Sequence, residues 1–309
     1  MEFFHKVPKI PFMAQRRIWY TVSTVMILAS LAAIGFKGLN FGVDFTGGIV
    51  VEAGFPGVAN LQKTRDALGA AGYATAQVQN FGTSRDILVR LPPTERSATE
   101  VAERVATVLR TVDTGVQIRR TEVVGAQVGK ELFGKGLTAM AITLLLILVY
   151  IALRFRWKFG IGAILATLHD PIVAIGFFAV TGLTFDLSVL AAVLALIGYS
   201  INDTVVVFDR VRERFLSMRK ARPAEVFDSA INETLSRTII THGATTLVVI
   251  CLYFFGGESL TGFALALIVG IIVGTYSSIY IASGVALDLG VSHRDLLASE
   301  RRAPVDDLP

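Results

Sequence analysis

Charge is what this chain has least of. Of its 309 residues, 17% are Asp, Glu, Lys or Arg, whereas 53% are apolar. A water-soluble globule carries roughly 25% charge and 45–50% apolar residues. The deficit excludes an ordinary cytosolic enzyme, a disordered chain and a nucleic-acid-binding tail. Cysteine is nearly absent too. The single Cys251 rules out an intramolecular disulfide framework and any cysteine-cluster metal site. Lying within an apolar run, it reads as a small hydrophobe. His5, His169, His242 and His293 fall on separate segments, so no metal site is expected. There is no Gly-Lys-Ser/Thr phosphate loop and no nucleophile elbow. The chain is therefore read as a non-enzyme that needs no cofactor.

What is present is long apolar runs. A helix that crosses a bilayer needs about 20 mostly apolar residues. Six runs qualify: 18–36, 134–153, 160–181, 187–208, 239–256 and 260–287. The first is the weakest, with Trp19, Tyr20, Ser23 and Thr24. His5, Lys6, Lys9, Arg16 and Arg17 before it, and Ser30-Leu31-Ala32 within it, also fit a cleaved signal peptide. Its length favours a retained signal-anchor. Lys and Arg concentrate in the tract 1–17, around Arg154, Arg156 and Lys158, in the stretch 209–238 and in the tail 288–309. The alternate loops Thr181–Asp186 and Gly257–Thr261 have neither. Short basic loops stay cytoplasmic, so both termini are expected inside and residues 37–133 outside. The basic tract Arg210–Arg222 carries this topological signal, with contact to anionic lipid as a by-product. It lacks the interleaved aromatics of a nucleic-acid surface.

The outer stretch reads as a folded domain. Gly47–Phe55 is β-rich, and Val58, Leu61, Leu68 and Ala71 follow helical spacing. Ala76–Phe81 is extended. Ile87, Val89 and Leu91 alternate with polar residues as in a half-buried strand. Ser97–Glu100 fits a capping box ahead of the stripe Val101, Val105, Val108 and Val112. Val116 and Ile118 begin a last strand. The order βαββαβ is the ferredoxin-like, split βαβ pattern.

A few polar residues lie at apolar depth. Asp203 sits about 9 Å cytoplasmic of its run's midpoint near Ile197, at 1.5 Å per residue. Ionisable residues within such runs default to functional hypotheses. Tyr199, Ser200, Asn202 and Thr204 surround it in sequence, a polar cluster able to hold water and pass a proton. Its bland alternative is an interfacial carboxylate beside Asp209 and Arg210. Arg237 begins the fifth run at similar depth. It reads either as a movable counter-charge to Asp203 or as a snorkelling arginine that marks the inner face. His169 and Asp170, followed by Pro171, form a second possible relay or a buried packing cluster. In the last run Gly262, Ala266, Gly270, Gly274, Ser278, Ala282 and Ala286 recur every four residues. Such a stripe permits close helix approach, within this chain or to a partner. Gly42, Asp44, Gly47 and Gly48 read as a hinge between the first helix and the outer domain, or as a mere tight turn.

Four segments carry a family resemblance: Gly42–Gly48, Gly198–Arg210, Asn232–Thr238 and Gly274–Ala282. Together they closely resemble the SecF family of the RND superfamily, over nearly the whole chain. The resemblance implies half of an RND-type membrane unit in the bacterial inner membrane, with a periplasmic domain over 37–133. It implies SecD, supplied by another polypeptide, as partner, and with it the SecYEG translocon, YajC, membrane lipids and a translocating polypeptide. It places Asp203 and Arg237 on a proton pathway. The function expected is proton-driven assistance to late protein export. A passive scaffold for SecD and the translocon is the first rival, and a small-molecule RND exporter the second. Whether the coupling ion is H⁺ or Na⁺ stays open at this stage.

Overall fold

The computed structural model describes residues 7–94, 98–257 and 260–293. The chain divides into two compact units. One comprises Met1–Leu39, Ala141–Leu183 and Ala191–Pro309, the other Asn40–Met140 and Thr184–Leu190.

The first unit is helical. A short 3₁₀ turn, Phe12–Gln15, leads into α1 (Arg16–Phe36). α5 (Ala126–Arg154) enters this unit from the other. α6 (Trp157–Thr181) runs unbroken through Pro171, and α7 (Leu187–Ser217) and α8 (Pro223–Phe255) follow. α9 (Thr261–Tyr276) passes through a π-helical turn, Ser277–Ala282, into α10 (Ser283–Asp288). Among the described residues, six helical segments are long and apolar enough to cross a membrane. Those of α6, α7 and α9–α10 bury more than half of their apolar windows within the chain, whereas α1, α5 and α8 bury less than a fifth. The first three carry the small residues that let backbones approach. The others turn Leu28, Leu31, Leu145, Leu146, Leu247 and Val248 outward, the disposition expected of surfaces facing lipid or a partner.

The expected cytoplasmic loop 209–238 is almost entirely helical. α7 and α8 extend past the apolar runs and leave only 218–222 between them. Hydropathy falls here because one face is charged, but the apolar stripe continues. Val211, Phe215, Val226, Phe227, Ala230 and Ile231 are all buried. Phe155, Phe159, Phe208, Phe215 and Phe227 interlock there, with Phe159 and Phe208 centroids 4.9 Å apart. Glu233 receives Arg210 at 2.6 Å and Arg214 at 2.8 Å, and Arg154 meets Asp209 at 2.5 Å. Part of the basic tract is thus engaged inside the hairpin rather than left for lipid.

The second unit holds β1 (Asn40–Phe41), α2 (Val43–Thr46), β2 (Gly48–Gly54), α3 (Leu61–Ala70), β3 (Gln77–Phe81), β4 (Thr83–Leu91), α4 (Ala98–Val112), β5 (Gln117–Val124) and β6 (Thr184–Phe185). Four strands form an antiparallel sheet in the order β3-β4-β2-β5, with Val51 opposite both Val89 and Thr121. Val51, Ala53, Ile87 and Val89 share a core with Leu68 of α3 and with Val101, Val105 and Leu109 of α4. The Asn60 side chain caps α3 by accepting from the Lys63 N–H at 3.0 Å. Val58, expected on that helix, lies ahead of it and is exposed. Ser97 of the expected capping box lies outside the described residues.

The glycine segment, read as a hinge or a tight turn, begins just past a unit boundary. The units divide at Leu39/Asn40, so Gly42, Asp44, Gly47 and Gly48 lie inside the second unit. They are packed there rather than free. β1 pairs in parallel with β6, the Gly42 N–H donates to the Phe185 carbonyl at 2.9 Å, and Asp44 accepts from the Leu187 N–H at 3.1 Å. Gly47 has φ +69, and a Cβ there would stand 2.7 Å from the Ala126 Cα, so this position demands glycine for conformation and for space. α5 accordingly begins at Ala126, two turns before the apolar run. Nearby, Arg90 donates to Thr184 Oγ1 at 2.5 Å. Burial pulls the Arg90 guanidinium below its ordinary value, a shift that Asp186 and Asp44 oppose.

Candidate functional site: two buried carboxylates

All of this site lies within the helical unit. Asp203 on α7 is 6% exposed and Asp170 on α6 is 0% exposed. Carboxylates at that depth need donors, and both have them. Asp203 Oδ1 accepts from Thr238 Oγ1 of α8 at 2.9 Å, and Oδ2 accepts from Ser278 Oγ of the π turn at 2.8 Å. Asp170 accepts from Ser200 of α7 and from Ser277 at 2.9 Å. Successive serines therefore serve the two acids. Ser200 lies one turn before Asp203 on the same helix, so α7 touches both. The π turn leaves the Ser278 carbonyl to accept from Ser283 Oγ at 3.0 Å.

A directed chain runs on from Asp170. His169 Nδ1 lies 2.8 Å from Asp170 Oδ1, and its Nε2 lies 2.8 Å from Tyr276 Oη. Ser23 of α1 donates to the same Tyr276 oxygen at 3.4 Å. The pattern is satisfied when Nδ1–H donates to the carboxylate and Nε2 accepts from the tyrosine. It links α1, α9 and α6 through buried and half-buried polar groups.

Several expectations change at the level of side chains. Arg237 makes no ion pair with Asp203 among the described residues. It is exposed, and α8 presents Thr238 to the carboxylate instead. Asn202 is exposed on the far side of α7, because neighbours on a helix diverge by about 100°. Thr204 is buried but donates to the Ser200 carbonyl at 3.3 Å, so it satisfies itself rather than Asp203. Tyr199 bonds to Thr245 at 3.3 Å, and its ring lies tilted against His242, centroids 5.0 Å apart. Gly270, Gly274 and Ser278 face inward: a Cβ at Gly270 would strike Leu196, and one at Gly274 would lie 3.5 Å from Asp170 Oδ2. Gly270 and Gly274 thus make close contacts within this chain, while Ser278 donates to Asp203.

Sequence reasoning passed over Thr238, His242, Thr275, Tyr276 and Ser277 as site residues. The available signal was Thr238-x-x-x-His242, a polar i, i+4 pair on one face of an otherwise apolar run.

Comparison with known proteins agrees over the whole chain. The model of the protein export membrane protein SecD/SecF, C-terminal family, matches residues 104–292, and the SecD/SecF GG motif matches 32–55. The protein translocase subunit SecF of Vibrio alginolyticus is 44% identical over 97% of this chain and 97% of its own length. That of Pseudomonas aeruginosa is 45% identical over 98% and 99%. The crystal structure of SecDF, a translocon-associated membrane protein from Thermus thermophilus, superimposes with a TM-score of 0.81 at 35% identity, over 91% of this chain. The chain spans 39% of the length of that SecDF chain. A family model over more than half of the chain, full-length relatives above 40% identity and six apolar helices lead to one conclusion: the chain belongs to the SecF family of protein translocase subunits, multi-pass membrane proteins of Sec protein export.

Proposed function

We propose that this chain works with SecD in the bacterial inner membrane and uses the proton gradient to assist late translocation and release of polypeptides emerging from the SecYEG translocon. It acts as a transporter subunit rather than an enzyme, and YajC and anionic lipids are its further neighbours. Both termini face the cytoplasm. The four-stranded unit is periplasmic, and its strand order, with α3 and α4 in a common core, supports a ferredoxin-like reading.

One observation carries the mechanism: Asp203 of α7 is held by hydroxyls from two other helical segments. As a carboxylate it accepts both hydrogen bonds. Once protonated, one of its oxygens becomes a donor and needs an acceptor. One hydroxyl must then turn away, and Ser278 has the Thr275 carbonyl at 3.1 Å as an alternative. Charge uptake at Asp203 is thereby converted into a changed contact among α7, α8 and the π turn. The Ser200–Asp170–His169–Tyr276–Ser23 chain extends that change to α1, which leads covalently into the four-stranded unit. Arg237, exposed at similar depth, serves as a counter-charge toward the SecD half. One charge crossing 100 mV supplies about 2.3 kcal/mol, enough to bias such a rearrangement.

In vesicles carrying the intact complex, a protonophore is expected to abolish the stimulated part of export, while a sodium ionophore leaves it intact. The reverse result assigns the coupling to Na⁺ and rejects the proton reading. Asp170 gives a second check. Asp170→Ala removes the acceptor of the Ser200 hydroxyl and of His169 Nδ1–H in a buried site, while Ser277 keeps the Gly274 carbonyl at 3.2 Å; the expected cost is about 2 kcal/mol, seen as a lower thermal midpoint. Asp170→Asn is expected to remain folded with reduced driven export. Normal export in folded Asp170→Asn would reduce the His169–Asp170 pair to packing.

A further inference from the structure

His242 is a buried histidine that the mechanism above leaves unused. It lies four residues beyond Thr238 on α8 and is 9% exposed. Its Nδ1 is 2.5 Å from Thr275 Oγ1 of α9, and its Nε2 is 3.9 Å from Asp203 Oδ1. The Thr275 hydroxyl lies 2.6 Å from the Ile271 carbonyl, to which it donates. A hydroxyl has one hydrogen and two lone pairs. With its hydrogen committed to Ile271, Thr275 can only accept from the imidazole. Nδ1 therefore carries the hydrogen of the neutral ring, and Nε2 presents a bare lone pair toward Asp203.

We propose that His242 is the proton-exchange partner of Asp203, with Nε2 as the base that shares the coupling proton with the Asp203 carboxyl. This inference rests on the proton-coupled reading above and adds a second titrating residue to it. The step balances within the pair. The Oδ1–H bond of protonated Asp203 breaks, its electron pair stays on the carboxylate, and an Nε2–H bond forms. A neutral acid and a neutral imidazole become a carboxylate and an imidazolium held in contact. The Nδ1–H bond to Thr275 persists throughout and keeps the ring aimed. A closure of about 1 Å brings Nε2 from its observed distance to hydrogen-bonding range. This is within the reach of a side-chain adjustment as the Thr238 and Ser278 hydroxyls turn.

The surroundings leave the exchange to these two groups. From α7 the titratable groups facing the imidazole are Asp203 and Tyr199, and the Tyr199 hydroxyl is engaged with Thr245. From α9 the facing group is the Thr275 hydroxyl, while Tyr276 bonds to His169 instead. On α8 itself Arg237 is exposed. Among the described residues no other charged group reaches His242.

The test is a pH-difference infrared titration of the purified full chain, paired with proton-driven export by the complex. His242→Asn keeps a side-chain N–H near the Nδ1 position for Thr275 but removes the Nε2 base. Wild type is expected to titrate at this site in two coupled steps, and His242→Asn in one, with the Asp203 carboxyl midpoint displaced by about one pH unit or more. Driven export should fall several-fold and its pH profile should move with the carboxyl. Thr275→Val provides a second variant. It removes the acceptor that holds Nδ1–H, frees the ring to change tautomer, and is expected to displace the same midpoint while Asp203 keeps both hydroxyl donors. If both variants fold and titrate and export as wild type, the inference is overturned. If Asp203→Asn abolishes driven export while His242→Asn leaves the titration untouched, the exchange role fails and the proton reading stands. If Asp203→Asn is silent, both fail.

Discussion

Asp203→Asn is expected to reduce gradient-driven export to the level seen with the gradient collapsed, a loss of about tenfold or more, without loss of the folded chain or of its complex. Asparagine matches the carboxylate in size. Its Oδ1 can still accept from one of Thr238 and Ser278, and its amide can donate to the other once that hydroxyl turns. The site observed around Asp203, with two hydroxyl donors at 2.9 and 2.8 Å, therefore tolerates the change sterically. What disappears is the capacity to gain and lose a charge. The measurement is export into inner-membrane vesicles under an imposed gradient, with complex yield followed in parallel. A passive scaffold predicts the opposite pattern, in which Asp203→Asn exports normally and only substitutions that disturb packing are harmful. Full driven export in a normally assembled Asp203→Asn complex would leave the chain a structural subunit.

Gly176→Val is expected to have the largest effect on stability. A Cβ at Gly176 on α6 would overlap the Ser30 side chain and lie 2.7 Å from the Ser30 Cα on α1. The obstacle includes backbone, so no rotamer change relieves it. Overpacking of that kind costs about 3 kcal/mol, and relief by separating α1 from α6 would also break the Ser23–Tyr276 contact. Membrane-inserted yield and thermal midpoint are expected to drop sharply. Gly198→Ala on α7 is the matched control. Nothing lies within 4 Å of a Cβ there, and replacing a mid-helix glycine is expected to be neutral or stabilising by up to about 1 kcal/mol. Equal behaviour of the two variants would show that α1 and α6 are not in the close contact described.

The contrast between these glycines shows where sequence legibility ends. Both sit in apolar helices, and neither spacing nor composition distinguishes the one pressed against a neighbouring backbone from the one facing open space. Asp203 was legible because it is the lone carboxylate in its run, and a charge at apolar depth is conspicuous whatever surrounds it. Its partners were not. Arg237 and Thr238 are adjacent in sequence and share a depth, so hydropathy cannot tell which of them faces α7. Helix rotation decides, and it selected the hydroxyl. His242 was passed over for the same reason, since residues about forty positions apart meet only once α7 and α8 have packed. The stretch 209–238 shows a different blind spot. Its charges depressed the hydropathy, yet its apolar stripe was enough to bury Phe215 and Phe227 and to keep both helices going.

Transfer free energy and periodicity are properties of residues taken along a line. The amino-acid order alone therefore determined the number of apolar helices, the presence of a carboxylate within the fourth of them, the alternation of strands and helices in 37–133, and the family. Which side chains meet depends on the azimuth and separation of packed helices, and these are set by close contacts such as Ser30 on Gly176 and Leu196 on Gly270. Only the tertiary structure could turn Thr238, Ser278 and His242 toward one carboxylate, send Arg237 outward, and set Gly42 and Asp44 against Phe185 and Leu187.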